Sequence, residues 1–258
     1  MRTSLSTVAL AALLIGPSAA AAQAPKSDAV SEESRKEARQ HYQAGMEKMR
    51  AESFAEAAEE FQAAIRLDRL FVLAHYQLGE ARMALKEYPE AVEALEQCIS
   101  VYKELAMLQE ADRALWEKRL DEEIQALKDS IRMYESGVTK SIQPQNQVLR
   151  LETQLHELER QRRRGISATD VPAEFSLALG SAYLRSGKIA EAEKAYAEAI
   201  RVNPKMGEAH NNLAIVYFRT GRLDEAEKEL KAAEKAGFAV NPRFKDDLKK
   251  AKEAAAKP

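Results

Sequence analysis

Residues 173–200 read AEFSLALGSAYLRSGKIAEAEKAYAEAI, and residues 207–234 read GEAHNNLAIVYFRTGRLDEAEKELKAAE. Set one above the other, the two coincide at an interval of 34 residues. Leu179, Gly180, Tyr183, Gly187, Ala192, Tyr196 and Ala199 come back as Leu213, Ala214, Tyr217, Gly221, Ala226, Leu230 and Ala233. Toward the N-terminus the same interval recurs: Gly45, Phe54, Ala57, Phe61 and Ala64 return as Gly79, Tyr88, Ala91, Leu95 and Cys98. Small side chains let two helix axes approach, and larger ones (Phe61, Leu95, Tyr196, Leu230) fill the space left. Gly187 and Gly221 end a first helix, where a left-handed backbone costs least for glycine. Asn203-Pro204 stops a second helix. One such unit cannot bury its apolar face alone; stacking does so.

A 34-residue period of two short amphipathic helices resembles the tetratricopeptide repeat. The resemblance implies an all-α, right-handed helical solenoid: two repeats, a helical hairpin insertion, two more repeats and a C-terminal solvating helix. It implies a binding scaffold without catalysis. In the family the first helices of successive repeats line a concave groove that holds a partner segment. Carried over, the lining residues are Tyr42, Met46 and Met49; Tyr76, Glu80 and Met83; Leu177, Ser181 and Leu184; and Asn211, Ile215 and Phe218. Independently of the family, Tyr42, Met46 and Met49 form an i, i+4, i+7 stripe. The expected mode is a largely apolar groove taking a helix, with methionine for adaptable contact. The alternative is that the chain's own hairpin or C-terminal helix covers these faces. Asn212 matches an asparagine that touches the peptide in repeats clamping a C-terminal carboxylate. The slots that would supply a further Asn and a Lys carry Ser181 and Leu177, so no such clamp is expected.

The flanks read differently. Residues 1–24 have one charge, Arg2, then an apolar run from Leu5 to Ile15 and small residues from Ala19 to Ala24. That is the pattern of a secretory signal peptide, which places the protein in the periplasm or outside the cell. Its apolar run is too short for a bilayer-spanning helix, so no transmembrane span is expected in the mature chain. Residues 25–30 read as a tether, and Ser31 with Glu32 and Glu33 as a helix start. Residues 31–105 hold repeats one and two, with helices from Ser31 to Arg50, Phe54 to Leu67, Val72 to Leu85 and Pro89 to Tyr102. Residues 106–172 break the repeat. From Glu90 to Ser136 there is neither glycine nor proline, and a bend is expected between Leu105 and Glu110. Leu120, Ile124, Leu127, Ile131 and Tyr134 follow a 4-3-4-3 spacing, a coiled-coil seam. After a turn from Gly137 to Pro144, Val148, Leu151, Leu155 and Leu158 form a second seam, so an antiparallel hairpin is expected; the alternative is two decayed repeats, which the missing small-residue signature and the long unbroken helical run disfavour. Ile166 to Val171 is a connector. Residues 173–240 are repeats three and four, and 241–258 a Lys-rich capping helix.

Without the first 24 residues the chain has 38 Lys plus Arg against 41 Asp plus Glu, a net charge of −3. This offers no broad basic footprint for nucleic acid. The Arg160–Arg164 cluster is short and lacks aromatics, and reads as helix-end charge. Cys98 is the sole cysteine and occupies an alanine slot, so it reads as a small core residue. No phosphate-cradling loop, nucleophile elbow or zinc motif occurs, and no cofactor is expected. His41, His75 and His210 share one slot in three repeats, too far apart for one ion. Glu59-Glu60 and Glu122-Glu123 read as exposed helix charge. The expectation is a protein-binding adaptor of the envelope. The other reading is an oligomeric scaffold assembled through the hairpin heptads, residues 106–164.

Overall fold

The computed structural model describes residues 30–136, 144–165 and 171–255. The expected signal peptide, the tether up to Ala29, the turn at 137–143 and most of the connector (166–170) lie outside the described residues. Within them the chain is eleven α-helices and no strand: α1 (Glu32–Arg50), α2 (Phe54–Leu67), α3 (Val72–Ala84), α4 (Tyr88–Ala111), α5 (Arg113–Glu135), α6 (Pro144–Arg164), α7 (Ala173–Arg185), α8 (Ile189–Val202), α9 (Gly207–Arg219), α10 (Leu223–Lys235) and α11 (Pro242–Ala255).

Four pairs, α1/α2, α3/α4, α7/α8 and α9/α10, are the repeats. Each second helix packs on the next first helix, which makes the right-handed solenoid. The stack runs straight through the inserted segment, because α4 packs on α7. Val171, Phe175, Ala178 and Leu179 share a buried cluster with Val92, Leu95, Val101 and Tyr102. The Phe175 ring lies 5.2 Å from that of Tyr76 and 6.2 Å from that of Tyr102.

The recurring small residues mark the closest approaches. A Cβ on Gly45 would stand 2.6 Å from the Phe61 ring, one on Gly79 2.5 Å from Leu95, and one on Gly180 2.7 Å from the Tyr196 ring. Gly180→Ala therefore overpacks a buried aromatic. The expected loss is about 1–3 kcal/mol from the clash, reduced by about 1 kcal/mol of helix propensity gained. Urea titration checks the net destabilisation, and a gain in stability would show that Tyr196 moves freely.

The turn inside each repeat is left-handed in all four copies. Gly187 and Gly221 sit there at φ 81° and 75°, and Glu52 and Lys86 adopt the same backbone at 59° and 63°. At the start of the array the Ser31 hydroxyl accepts the Ser34 amide at 3.0 Å, capping α1. At its end Leu248 of α11 is buried among Ala226, Leu230 and Ala233, and Lys252 meets Asp224 at 2.7 Å and also Glu227.

The inserted segment departs from expectation in two places. Helix α4 continues past Tyr102 to Ala111, and the break falls at Asp112 rather than between Leu105 and Glu110. Asp112 has φ −146° and ψ 87°, and its carboxylate accepts the Leu115 amide at 3.0 Å. One extended residue thus ends α4 and caps α5. Helices α5 and α6 lie antiparallel, with Asp121 3.2 Å from Arg162 and Lys128 3.4 Å from Glu159.

Candidate partner-binding groove

Helix α5 lies in the concave face of repeats one and two. Polar contacts step along α1 and α5 in the same direction. Lys118 is 2.9 Å from Glu32, Arg35 is 3.2 Å from Glu122, Gln43 donates to the Ala126 carbonyl at 2.9 Å, and Arg50 to the Met133 carbonyl at 3.4 Å. Between them Trp116, Leu120, Ile124, Leu127, Ile131 and Tyr134 join one core with Tyr42, Met46, Phe61, Phe71 and Leu73. Tyr42 and Met46 are 0% exposed. These two residues, expected to face a partner, face the chain's own helix. Met49 packs partly against the same core. The Tyr42 hydroxyl sits beside Ser130 and Gln77, and burial pushes its pKa well up.

A band of charge crosses this contact. Arg119 Nη1 donates to both Asp68 oxygens at 2.9 Å, with side-chain exposures of 7% and 8%. Glu122 takes Arg35 and Arg39, the latter at 3.0 Å. The Glu123 carboxyl lies near the Val72 amide in the first turn of α3, which has no side-chain cap of its own. A carboxylate there also meets the positive end of the helix dipole. Burial, with Asp68 and Glu122 adding, pushes the Glu123 pKa up to about 8. The expectation that Glu122-Glu123 is exposed surface charge is thus corrected: Glu123 is buried and Glu122 largely so.

Further along the concave face the lining changes. Tyr76 is buried against Phe175. Glu80 lies 3.8 Å from Arg150 of α6. Burial raises its carboxyl pKa, Arg150 opposes the rise and Glu208 adds to it. Met83 packs partly against the cluster that joins repeats two and three. In repeat three, Ser181 donates to the Leu177 carbonyl at 3.0 Å, and the Tyr196 hydroxyl reaches Ser181 Oγ at 3.3 Å. Leu177 and Leu184 are half-buried in the packing between repeats three and four. In repeat four, Asn211 donates to Asn212 at 3.3 Å, Ile215 is partly exposed, and Phe218 meets Phe244 of α11 edge-on at 5.5 Å. Among the described residues neither α5 nor α6 packs along α9. The open lining is mixed: Leu184, Ile215 and Phe218 with Ser181, Asn211, Asn212 and Glu208.

Three of the four histidines are fixed locally. His41 meets Glu60 at 2.7 Å, His210 meets Glu229 at 2.6 Å, and His75 meets the Arg69 carbonyl at 3.0 Å. Among the described residues no three His, Cys, Asp or Glu side chains gather as a metal site. Cys98 is buried, which pushes its thiol pKa well up. An open cleft of about 580 Å³ lies between α4, α7 and α8, floored by Ile99, Leu179 and Ala195. Its charges stand on the rim, where Arg201 pairs with Glu198 at 2.9 Å. Sequence reasoning missed Asp68, Arg119 and Gln77. The one available signal was that Arg119 and Glu123 lie within the α5 seam rather than opposite it.

Stacked helix pairs with a concave face built from their first helices define a helical-repeat scaffold of the protein-binding kind. The profile of the tetratricopeptide repeat family matches residues 42–99 and 177–239, and these two segments are tetratricopeptide repeats. No curated protein matches the chain. Among solved structures it is similar to PilW, a type IV pilus biogenesis factor, at 15% identity over 79% of each chain and a TM-score of 0.36. It is similar to PilF of Pseudomonas aeruginosa at 16% identity, over 81% of this chain and 80% of that one, with a TM-score of 0.33. The TPR2AB domain of yeast Sti1, solved as a complex with pHSP90, gives 16% identity, 85% and 98% coverage, and a TM-score of 0.27.

Proposed function

We propose that the chain is an exported, non-catalytic adaptor of the cell envelope that holds a partner segment in the concave face of repeats three and four. A protein-interaction role in general follows from the repeat fold. The observation that carries the finer reading is the contrast between the two halves. The face of repeats one and two is filled by α5, whereas Ser181, Leu184, Asn211, Ile215 and Phe218 remain partly exposed. A rigid preformed groove limits the ordering cost of binding. Export rests on the signal-like residues 1–24. Among the described residues no helix is long and apolar enough to cross a membrane.

The oligomeric-scaffold reading needs a free seam. Leu120, Ile124, Leu127, Ile131 and Tyr134 are each no more than 9% exposed, spent within one chain, so the adaptor reading is preferred.

The test is a photocrosslinking residue placed at Asn211, in native envelope, with and without Ile215→Asp. The substituted chain is expected to keep its circular-dichroism melt and to lose crosslinked partner about tenfold, about 1.4 kcal/mol of affinity. Equal recovery from both chains would place the binding surface elsewhere.

A further inference from the structure

The partner's chemistry follows from how the chain fills its own groove. We infer that the face of repeats three and four takes an amphipathic α-helix bearing Lys or Arg, with the cation against Glu208 and apolar side chains against Leu184 and Ile215. This rests on the groove reading above and adds the class of partner.

Two internal precedents support it. The first is the seat of α5. It rests on Tyr42, Met46 and Met49 of α1 and on Leu73 and Gln77 of α3. In the repeat register the same slots are Leu177, Ser181 and Leu184 of α7, and Glu208 and Asn212 of α9. A helix is therefore the object that one copy of this surface already holds. The permanently filled copy is apolar. The open copy replaces Met46 with Ser181 and Leu73 with Glu208. A groove that stands empty between partners avoids a large bare apolar patch in this way. Its occupant then needs a matching polar edge.

The second precedent is charge. Glu80, Glu174 and Glu208 stand on the first helices of repeats two, three and four, and Glu208 is close enough to raise the Glu80 carboxyl pKa. Helix α6 brings Arg150 to 3.8 Å from Glu80; its Arg160 pairs with Glu157 of the same helix and only weakly opposes the rise that burial causes at Glu174. Glu208, next on the same face, has no basic partner among the described residues. It also sits in the first turn of α9, where the helix dipole stabilises it. The dipole accounts for an acid at that end of α9. It does not account for the acid farther along that face, Glu80, which an arginine from a helix already meets.

The probe is a fluorescein-labelled synthetic peptide of residues 144–164, which carries Arg150 and the Leu151–Leu158 stripe. Binding to the full chain is read by fluorescence anisotropy at low and physiological salt. The expected result is saturable binding, weakened about tenfold by Glu208→Lys and, separately, by Ile215→Asp, with both variants melting as the parent does. Three results would overturn the inference: no binding, equal binding to the Glu208→Lys or the Ile215→Asp chain, or equal binding of a scrambled peptide of the same composition. Exchange of the peptide into the α6 position is insensitive to Ile215 and falls under the second. If crosslinking at Asn211 depends on Ile215 while the peptide fails, the groove stands and the helical, cationic partner does not. If neither depends on Ile215, both readings go.

Discussion

Arg119→Ala is expected to cost about 3–5 kcal/mol of stability and to loosen α5 from the concave face of repeats one and two. The Arg119 guanidinium donates to both oxygens of Asp68 at 2.9 Å. Asp68 also accepts the Leu70 amide at 3.1 Å, so it stays in place when its cation goes. The penalty is that of leaving a buried carboxylate unpaired, and it exceeds the net worth of the pair. Arg119→Met with Asp68→Asn removes both charges and is expected to recover most of the loss. Urea titration measures the three chains. Trp116 is the only tryptophan, is 2% exposed and belongs to α5, so its emission should shift to the red in the single variant and return in the double. An Arg119→Ala chain as stable as the parent would mean that solvent reaches Asp68.

The second large effect is on pH dependence. Glu123 titrates at about 8 in the fold, against 4.5 for the ordinary carboxyl. Burial is the main cause, Asp68 and Glu122 add to it, and the Val72 amide and Arg119 oppose it. Because the folded value lies above the unfolded one, the protonated fold is favoured. The contribution is complete below about pH 4.5 and is lost as pH rises toward 8. At about 1.4 kcal/mol per unit the difference is of order 3–5 kcal/mol. Glu123→Gln keeps an oxygen near the Val72 amide and has no charge to bury. It is expected to match the parent near pH 4.5 and to be the more stable chain by several kcal/mol near pH 8. Glu80 and Glu174, also raised by burial, slope the same way in both chains and drop out of the difference. Parallel stability profiles for parent and variant would refute the assignment.

The repeats were legible because their packing demands particular residues. A Cβ at Gly45 or Gly180 has no room beside Phe61 or Tyr196, so the small-aromatic pairing had to be written into the chain. The left-handed turn was legible only where glycine marks it. Glu52 and Lys86 adopt it without any signature, since strain of that size is tolerated when the flanking helices are fixed. The first-helix stripe identified the residues of the concave face but not what lies on it. A 4-3-4-3 seam shows that α5 has an apolar side. It does not say whether that side meets α6, a second chain or α1. The same gap hid Glu122 and Glu123. Their burial depends on Arg35, Arg39 and the start of α3, groups that no local window contains.

Repeat arrays ordinarily assemble unit by unit, each needing only its neighbour. Here the face of α1 closes on Ala126 and Met133, both 83 positions later in the chain. The front half must therefore wait for a long loop to close before it is complete. As the chain is made, the side of Tyr42 and Met46 that meets α5 stays uncovered until Tyr134 has been added, whereas α9, α10 and α11 need only one another.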